Sequence, residues 1–186
     1  RHRRLDTKYM MQERPVDFSG VDGTKLRGVL HLPEYPENGH SCGVVFLTSG
    51  LGTRAYTHSL YVRLARKIAE CGYPVLRFDF HGLGESGGEI PAGLYIDRFS
   101  DVQHGLFVAD SLAAVQFFKS TCKLHDLVTL AICGGAITGL LAAADPASSI
   151  TGQILVGLPI TVDNPQREYH TELTIGEAAQ IRRDYF

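Results

Sequence analysis

The sequence predicts an α/β fold, a three-layer α/β/α sandwich with a mostly parallel sheet and an antiparallel hairpin at its N-terminal end. Short apolar runs typical of buried strands alternate with segments of helical periodicity along most of the chain. Two strand-like segments joined by a turn signal precede this alternation. Three glycine-bearing turns each follow a predicted strand, and in a parallel sheet such turns meet at one edge.

The hairpin is predicted near the start of the chain. Residues 15–18 and 26–32 are strand-like, and residues 21–24 (VDGT) between them carry a turn signal. Residues 1–12 are polar and are expected to be loosely held. Residues 33–41 are rich in Pro, Glu, Asn and Gly, so a loop is expected there.

The elements after the hairpin alternate between strand and helix. The strands are short apolar runs, and the helices place apolar residues three and four positions apart. In chain order these are a strand at 43–48, a helix at 61–71, a strand at 73–78, a helix at 99–121, a strand at 127–132, a helix at 136–144 and a strand at 151–156. Alternation of this kind gives a parallel sheet covered by helices on both faces.

The composition fits one globular domain and excludes several partners. The chain has 186 residues, of which 44% are hydrophobic and 20% charged, which is sufficient for one domain with its own core. A net charge of −2 gives no electrostatic reason to expect nucleic acid or an acidic membrane surface as a partner. No run approaches the roughly 20 apolar residues of a membrane span, and neither a span nor a signal peptide is predicted.

The cysteines and glycine runs do not indicate a metal or a cofactor. Cys42, Cys71, Cys122 and Cys133 show no metal-ligand spacing, so free thiols in a reducing cytoplasm are expected. The glycine runs fit neither a dinucleotide fingerprint nor a phosphate-binding loop with its lysine. No cofactor and no metal are therefore expected.

The stretch from Leu127 to Ala144 carries the strongest functional signal. A buried strand turns sharply into a helix there, with Cys133 at the turn and Gly134 and Gly135 directly after it. The first N–H groups of a helix have no intrahelical partner and favour negative charge. They favour the reactive thiolate and can also bind an oxyanion. Two further turns, 49–52 and 79–88, are expected at the same edge of the sheet.

Three motifs resemble those of the α/β-hydrolase superfamily. The SGLG turn with Leu51 resembles its oxyanion loop, and RFDFHGLGESGG, residues 77–88, resembles its D-x-R-G-x-G-x-S turn with His81 in place of Arg. AICGGA, residues 131–136, resembles the nucleophile elbow G-x-S-x-G with Cys133 at the nucleophile position. The similarity covers roughly residues 13–160. It is greatest to serine-aminopeptidase-like and lipase-like hydrolases, which carry an inserted cap.

The resemblance implies an acyl hydrolase acting on a small-molecule acyl substrate such as an ester, thioester or amide. It places Cys133 as the nucleophile and the backbone N–H groups of Leu51 and Gly134 as oxyanion donors. Ala131 stands where the nucleophile elbow usually has its first glycine. Alanine is small enough for the close approach of backbone segments at this turn. Some members of the superfamily, such as dienelactone hydrolases, use cysteine in place of serine. An acyltransferase working through an acyl-cysteine is an alternative.

The resemblance also bears on domain organisation. In this superfamily the catalytic acid and histidine follow the nucleophile in the chain, but His170 is the only histidine after Cys133. His170 lies in a polar segment, so the triad Asp and His are expected to be absent from this chain. We interpret residues 1–160 as the N-terminal part of a hydrolase core, truncated after about the sixth strand, and residues 161–186 as the start of a cap or lid. Self-association through the exposed sheet edge is then expected.

Each candidate residue also has a purely structural interpretation. Cys133 can be a buried structural thiol, and Leu51 and Gly134 ordinary turn residues, in which case the chain is a non-catalytic hydrolase-fold protein or an inactive fragment. Asp79 is expected to accept hydrogen bonds from its own turn. The other side chains have structural or surface roles: Ser86 and His81 stabilise the turn, His58 lines a pocket or starts a helix, and His2, His31, His40, His104 and His125 are solvated.

Overall fold

The computed structural model describes residues 11–34, 40–90, 92–93 and 95–159, in which six strands and four α-helices are formed. The elements are β1 (Met11–Ser19), β2 (Lys25–Pro33), β3 (Cys42–Leu47), α1 (Leu60–Glu70), β4 (Val75–Phe78), α2 (Tyr95–Gln103), α3 (Val108–Cys122), β5 (Asp126–Ile132), α4 (Gly134–Ala144) and β6 (Gly152–Val156). A 3₁₀ turn, Thr57–Ser59, precedes α1.

The six strands form one sheet in the order β1-β2-β4-β3-β5-β6. Strands β4, β3, β5 and β6 are parallel, whereas β2 runs antiparallel to both β1 and β4. The mostly parallel sheet with an antiparallel N-terminal hairpin is therefore confirmed. Its carboxyl edge collects the ends of β3, β4 and β5, where the three glycine-bearing turns begin.

Alternating side chains of β3 build two apolar layers, one on each face of the sheet. Val44 and Phe46 pack with Tyr61 and Ala65 of α1, as expected for a strand whose side chains alternate between faces. Residues 45 and 47 point the other way and join a larger cluster that includes Val102 of α2 together with Ala114, Val115, Phe118 and Ala136. Because burying one large apolar side chain contributes about 1.5–3 kcal/mol, these two layers stabilise the packing of the helices on the sheet.

The predicted helix at 99–121 is wrong as a single element. Two helices, α2 and α3, occupy this region and are separated at Gly105, which has a φ of 96°. Glycine takes this left-handed conformation without steric strain and commonly ends a helix. The break allows α2 to turn back and contact α4.

The hairpin is longer than the apolar pattern indicated. Ser19 pairs with Lys25 and Met11 with Pro33, so residues 11 and 12, which were expected to be loosely held, belong to β1. The turn is closed by the Gly20 N–H, which donates to the Thr24 carbonyl at 2.7 Å. The proposed cap segment, residues 161–186, and His170 lie outside the described residues.

Candidate active site

Cys133 lies between the last residue of β5 and the first residue of α4, with φ 53° and ψ −124°. A positive φ is uncommon for a non-glycine residue and is found mainly where the surrounding structure enforces it, often at functional sites. The Cys133 N–H donates to the Val156 carbonyl at 2.9 Å, and its carbonyl accepts from the Ala136 N–H at 2.8 Å. The residue is exposed, so the interpretation of Cys133 as a buried structural thiol is wrong.

Small residues around Cys133 are required by close backbone packing. A β-carbon at position 135 would lie 2.2 Å from the Thr48 carbonyl oxygen, and one at position 134 would lie 3.0 Å from Gly50 Cα. The first distance excludes a side chain at position 135, and the second leaves only a tight fit at position 134, where α4 crosses the end of β3. Ala131 is fully buried in the core on the opposite side of the elbow.

The same packing brings Leu51 and Gly134 to neighbouring turns. Gly50 contacts Gly134, and Leu51 follows Gly50 in a turn closed by the Gly52 N–H, which donates to the Ser49 carbonyl at 3.0 Å. Among the described residues, no group accepts a hydrogen bond from the Leu51 or Gly134 amide. In the part of the chain that the structure describes, two donors without acceptors therefore lie on the turns that meet at Gly50 and Gly134, next to the exposed Cys133. Free backbone amides of this kind are able to bind negative charge.

Helix α2 covers the two glycines of this site. Val102 Cγ1 lies 3.5 Å from the β-carbon position of Gly134, and Phe99 Cε2 lies 3.9 Å from that of Gly50. This contact of α2 was not predicted from the sequence, because residues 99–121 were expected to form one continuous helix. Gly105 was the signal that predicts the break.

Asp79 is the buried anchor of the turn after β4. Its Oδ2 accepts from the Glu85 N–H at 3.2 Å, which confirms the expected role within its own turn. Its Oδ1 also accepts from the Arg54 N–H at 2.7 Å, and the Arg54 guanidinium binds the same carboxylate. Gly84 is required there, since a β-carbon at that position would lie 2.3 Å from Asp79 Oδ2.

Ser86 and His81 stabilise this region, as expected. The Ser86 hydroxyl donates to the Asp79 carbonyl at 2.6 Å and accepts from the Arg27 N–H at 2.9 Å. The His81 N–H and Nδ1 lie 2.7 and 2.8 Å from one oxygen of Asp110, a buried carboxylate on α3 that sequence analysis did not identify.

The expectation that His31 is solvated is wrong. It is fully buried on β2, its Nε2 accepts from Arg77 Nε at 2.8 Å, and its Nδ1 lies 3.3 Å from Glu13 Oε1. Burial, and then the Arg77 charge, lowers the pKa of His31 to about 4. The pattern of β2 alone does not identify its partner, because Arg77 comes from β4.

No base for the thiol is found among the described histidines and carboxylates, since none forms a hydrogen bond or ion pair with Cys133. His58 is exposed in the 3₁₀ turn before α1 and forms no such contact among the described residues.

The described residues contain no group of three His, Cys, Asp or Glu side chains arranged to hold a metal ion. No described helix has the length and apolar character needed to cross a membrane.

Several solved structures share this architecture. An esterase of Pyrococcus furiosus is 20% identical with a TM-score of 0.63, and the match covers 83% of this chain and 52% of the esterase. A cold-adapted esterase from an Arctic intertidal metagenomic library is 22% identical with a TM-score of 0.58, over 83% and 62% of the two chains. An α/β hydrolase of a Penicillium species is 21% identical with a TM-score of 0.57, over 79% and 46%.

At these identities the likeness shows the fold alone. The chain spans about half the length of the solved relatives that it matches. Comparison with curated proteins gives no match. The family model described as serine aminopeptidase, S33, matches residues 39–180, which include the elbow and both loops beside it. The chain therefore belongs to the serine aminopeptidase S33 family, within the α/β-hydrolase superfamily.

Proposed function

We propose that this chain supplies the nucleophile and the oxyanion donors of an acyl hydrolase, with Cys133 as the nucleophile and the Leu51 and Gly134 amides as the donors. The observation that carries the proposal is the exposed Cys133, held at φ 53° beside two amides without acceptors among the described residues. Membership of a hydrolase family supports the same reaction class. The residues before the cap, 1–160, form the hydrolase core in this proposal.

The proposed reaction follows from the position of the sulfur. The Cys133 sulfur attacks the substrate carbonyl, whose electrons move to oxygen, and the two amides stabilise the resulting oxyanion. Collapse of the tetrahedral intermediate expels the leaving group with a proton and leaves an acyl-cysteine thioester, which water hydrolyses. A histidine outside the described residues takes the thiol proton and returns it to the leaving group. No metal or cofactor is needed.

We propose esters of small molecules as the first substrates to test, because two of the similar structures are esterases. The proposed compartment is the cytoplasm, since a nucleophilic thiol must stay reduced. A second candidate function is acyl transfer, which the cysteine favours because a thioester reacts readily with amines. An added amine separates the two candidates: transfer gives the amide faster than the same amine reacts with a free thioester in solution, and hydrolysis does not.

The experiment is a single-turnover reaction with p-nitrophenyl acetate, followed by release of nitrophenolate and by the mass of the protein. We expect one acetyl group on Cys133, and its loss in Cys133→Ala. Cys71→Ala is the matched control, because Cys71 is also exposed but lies at the end of α1. Equal acetylation of wild type and Cys133→Ala would reject the proposed function and support a non-catalytic protein.

A further inference from the structure

Tyr61 is a fully buried tyrosine that contacts both ends of the loop carrying Leu51. Its hydroxyl donates to the Leu47 carbonyl at 3.0 Å, at the end of β3. Its backbone N–H donates to the Ala55 carbonyl at 3.2 Å. The loop between these two carbonyls, residues 48–54, contains Leu51, so one residue of α1 fixes where that loop starts and ends.

The residue that accepts this hydrogen bond is paired with the strand that carries Cys133. Leu47 pairs with Ala131 in the β3–β5 ladder, two residues before Cys133. Burial raises the pKa of Tyr61 well above its ordinary value, so the hydroxyl keeps its proton and remains a donor. Tyr61 therefore holds the end of β3 at the position where β3 pairs with β5, next to the elbow.

Neighbouring rings hold the phenol in place. Phe46 packs edge-on against Tyr61 with ring centroids 5.0 Å apart, and Tyr56 stacks on it at 4.9 Å. A phenylalanine at position 61 would keep these contacts and lose only the hydroxyl bridge. The apolar helical pattern alone assigned Tyr61 to the buried face of α1 and gave no role for its oxygen.

We propose that Tyr61 is a positioning residue that sets the relative position of the two oxyanion donors, Leu51 and Gly134. This inference rests on the proposed function. Tyr61 does not touch the substrate and acts through the two ends of the Leu51 loop, which its hydroxyl and its backbone N–H hold. Loss of the bridge lets the Leu51 turn move relative to the elbow, and small displacements of catalytic groups reduce rates strongly.

The test uses an acyl group whose absorption reports polarisation of its carbonyl. N-cinnamoylimidazole acylates the thiol: the sulfur bonds to the carbonyl carbon, and imidazole leaves with the thiol proton. We expect the wild-type cinnamoyl thioester to absorb at longer wavelength than the same thioester in water. Tyr61→Phe should lose most of this shift. Hydroxylamine releases the cinnamoyl group as the hydroxamate and restores the free thiol. This release should be about tenfold slower or more in Tyr61→Phe than in wild type.

Alkylation by iodoacetamide is the internal control, because displacement of iodide forms no oxyanion. We expect Tyr61→Phe to alkylate at the wild-type rate, and Tyr73→Phe, at a tyrosine stacked on His40, to match wild type throughout. If Tyr61→Phe does not fold, 3-fluorotyrosine at position 61 keeps the packing and changes the strength of the hydroxyl as a donor. The absorption wavelength of the cinnamoyl thioester should then still differ from that of wild type.

The possible results distinguish the proposed function of Cys133 from the positioning role of Tyr61. Wild-type protein that is not acylated at Cys133, or that shows no shift in absorption, would overturn the proposed function and this inference with it. Wild type and the Tyr61→Phe or fluorotyrosine variant could instead show the same absorption shift and the same rate of hydroxylamine release. That result would overturn only the role of Tyr61.

Discussion

Arg54 and Asp79 join two loops at the carboxyl edge of the sheet. The Arg54 N–H donates to Asp79 Oδ1 at 2.7 Å and its guanidinium binds the same fully buried carboxylate. Arg54 lies in the loop that contains Leu51, and Asp79 is the first residue after β4. The Arg54 carbonyl also accepts from the Arg77 guanidinium at 3.4 Å. A buried charge on a neighbouring strand therefore anchors the loop with one of the proposed oxyanion donors.

Asp79→Asn should destabilise the protein by about 3 kcal/mol, because it removes the buried negative charge that binds the Arg54 guanidinium and the N–H groups of Arg54 and Glu85. Urea unfolding followed by circular dichroism measures the change. Glu85→Gln is the control, since Glu85 also binds Arg54 but has 64% of its side chain exposed, and should change stability by less than about 1 kcal/mol. Equal losses in the two variants would contradict the anchoring role of Asp79.

Gly135→Ala should reduce stability by about 3 kcal/mol or more, because its β-carbon would lie 2.2 Å from the Thr48 carbonyl oxygen. Gly139→Ala, in the same helix, is the matched control. Its β-carbon would lie 3.3 Å from Leu47 Cδ1, and the gain in helix propensity of about 1 kcal/mol offsets that contact. Thermal unfolding compares the two, and a Gly135→Ala variant as stable as Gly139→Ala would show that the crossing is looser than described.

His31 should make the fold sensitive to acid. Its pKa is lowered to about 4 in the folded protein from an ordinary value of 6.5. The unfolded chain therefore binds more protons between these values, so stability is complete above about pH 6.5 and declines as the pH falls towards 4. The full loss is about 3 kcal/mol, since each pKa unit corresponds to about 1.4 kcal/mol.

The pH dependence is checked by urea unfolding of wild type and His31→Asn from pH 7 to pH 4. The variant should be less stable at pH 7 and should lose less stability on acidification, because it cannot bind the extra proton when it unfolds. Parallel pH curves for the two proteins would assign the acid sensitivity to other groups.

Local patterns in the sequence were sufficient to predict most of the fold. The apolar runs at 43–48 and 127–132 lie within one residue of β3 and β5, because continuous apolar stretches mark strands buried on both faces. The break at Gly105 was missed because helical periodicity continues across it. A helix end set by one backbone conformation leaves little trace in a hydrophobic pattern.

The candidate site was predictable only where it depends on adjacent residues. Cys133, Gly134 and Gly135 are consecutive, so the elbow is visible in the sequence. Contacts between distant segments were not predictable, because nothing local specifies the partner. Examples are the hydrogen bonds from Tyr61 to Leu47 and from Arg77 to His31, and the packing of α2 against Gly50 and Gly134.

The outer edge of β6 should support self-association. Within the described residues β6 pairs only with β5, and its Ile154 and Val156 side chains are each 49% exposed. Unpaired apolar strand edges pair readily with other chains. We expect this chain to sediment as concentration-dependent oligomers and Ile154→Lys/Val156→Lys to shift it towards monomer. A monodisperse wild-type monomer across the concentration range would contradict this expectation.

The central claim is that the Cys133 thiol is presented for acylation. It is tested by mapping an acylating ester onto the four cysteines over time with peptide mass spectrometry. Burial raises the pKa of the Cys42 and Cys122 thiols, which makes them less reactive than an exposed thiol. The exposed Cys71 is therefore the appropriate reference for Cys133. We predict that Cys133 is acylated about tenfold faster than Cys71 or more, since of these two cysteines Cys133 is the one next to the proposed oxyanion donors. Acylation of Cys133 no faster than Cys71 would contradict the claim.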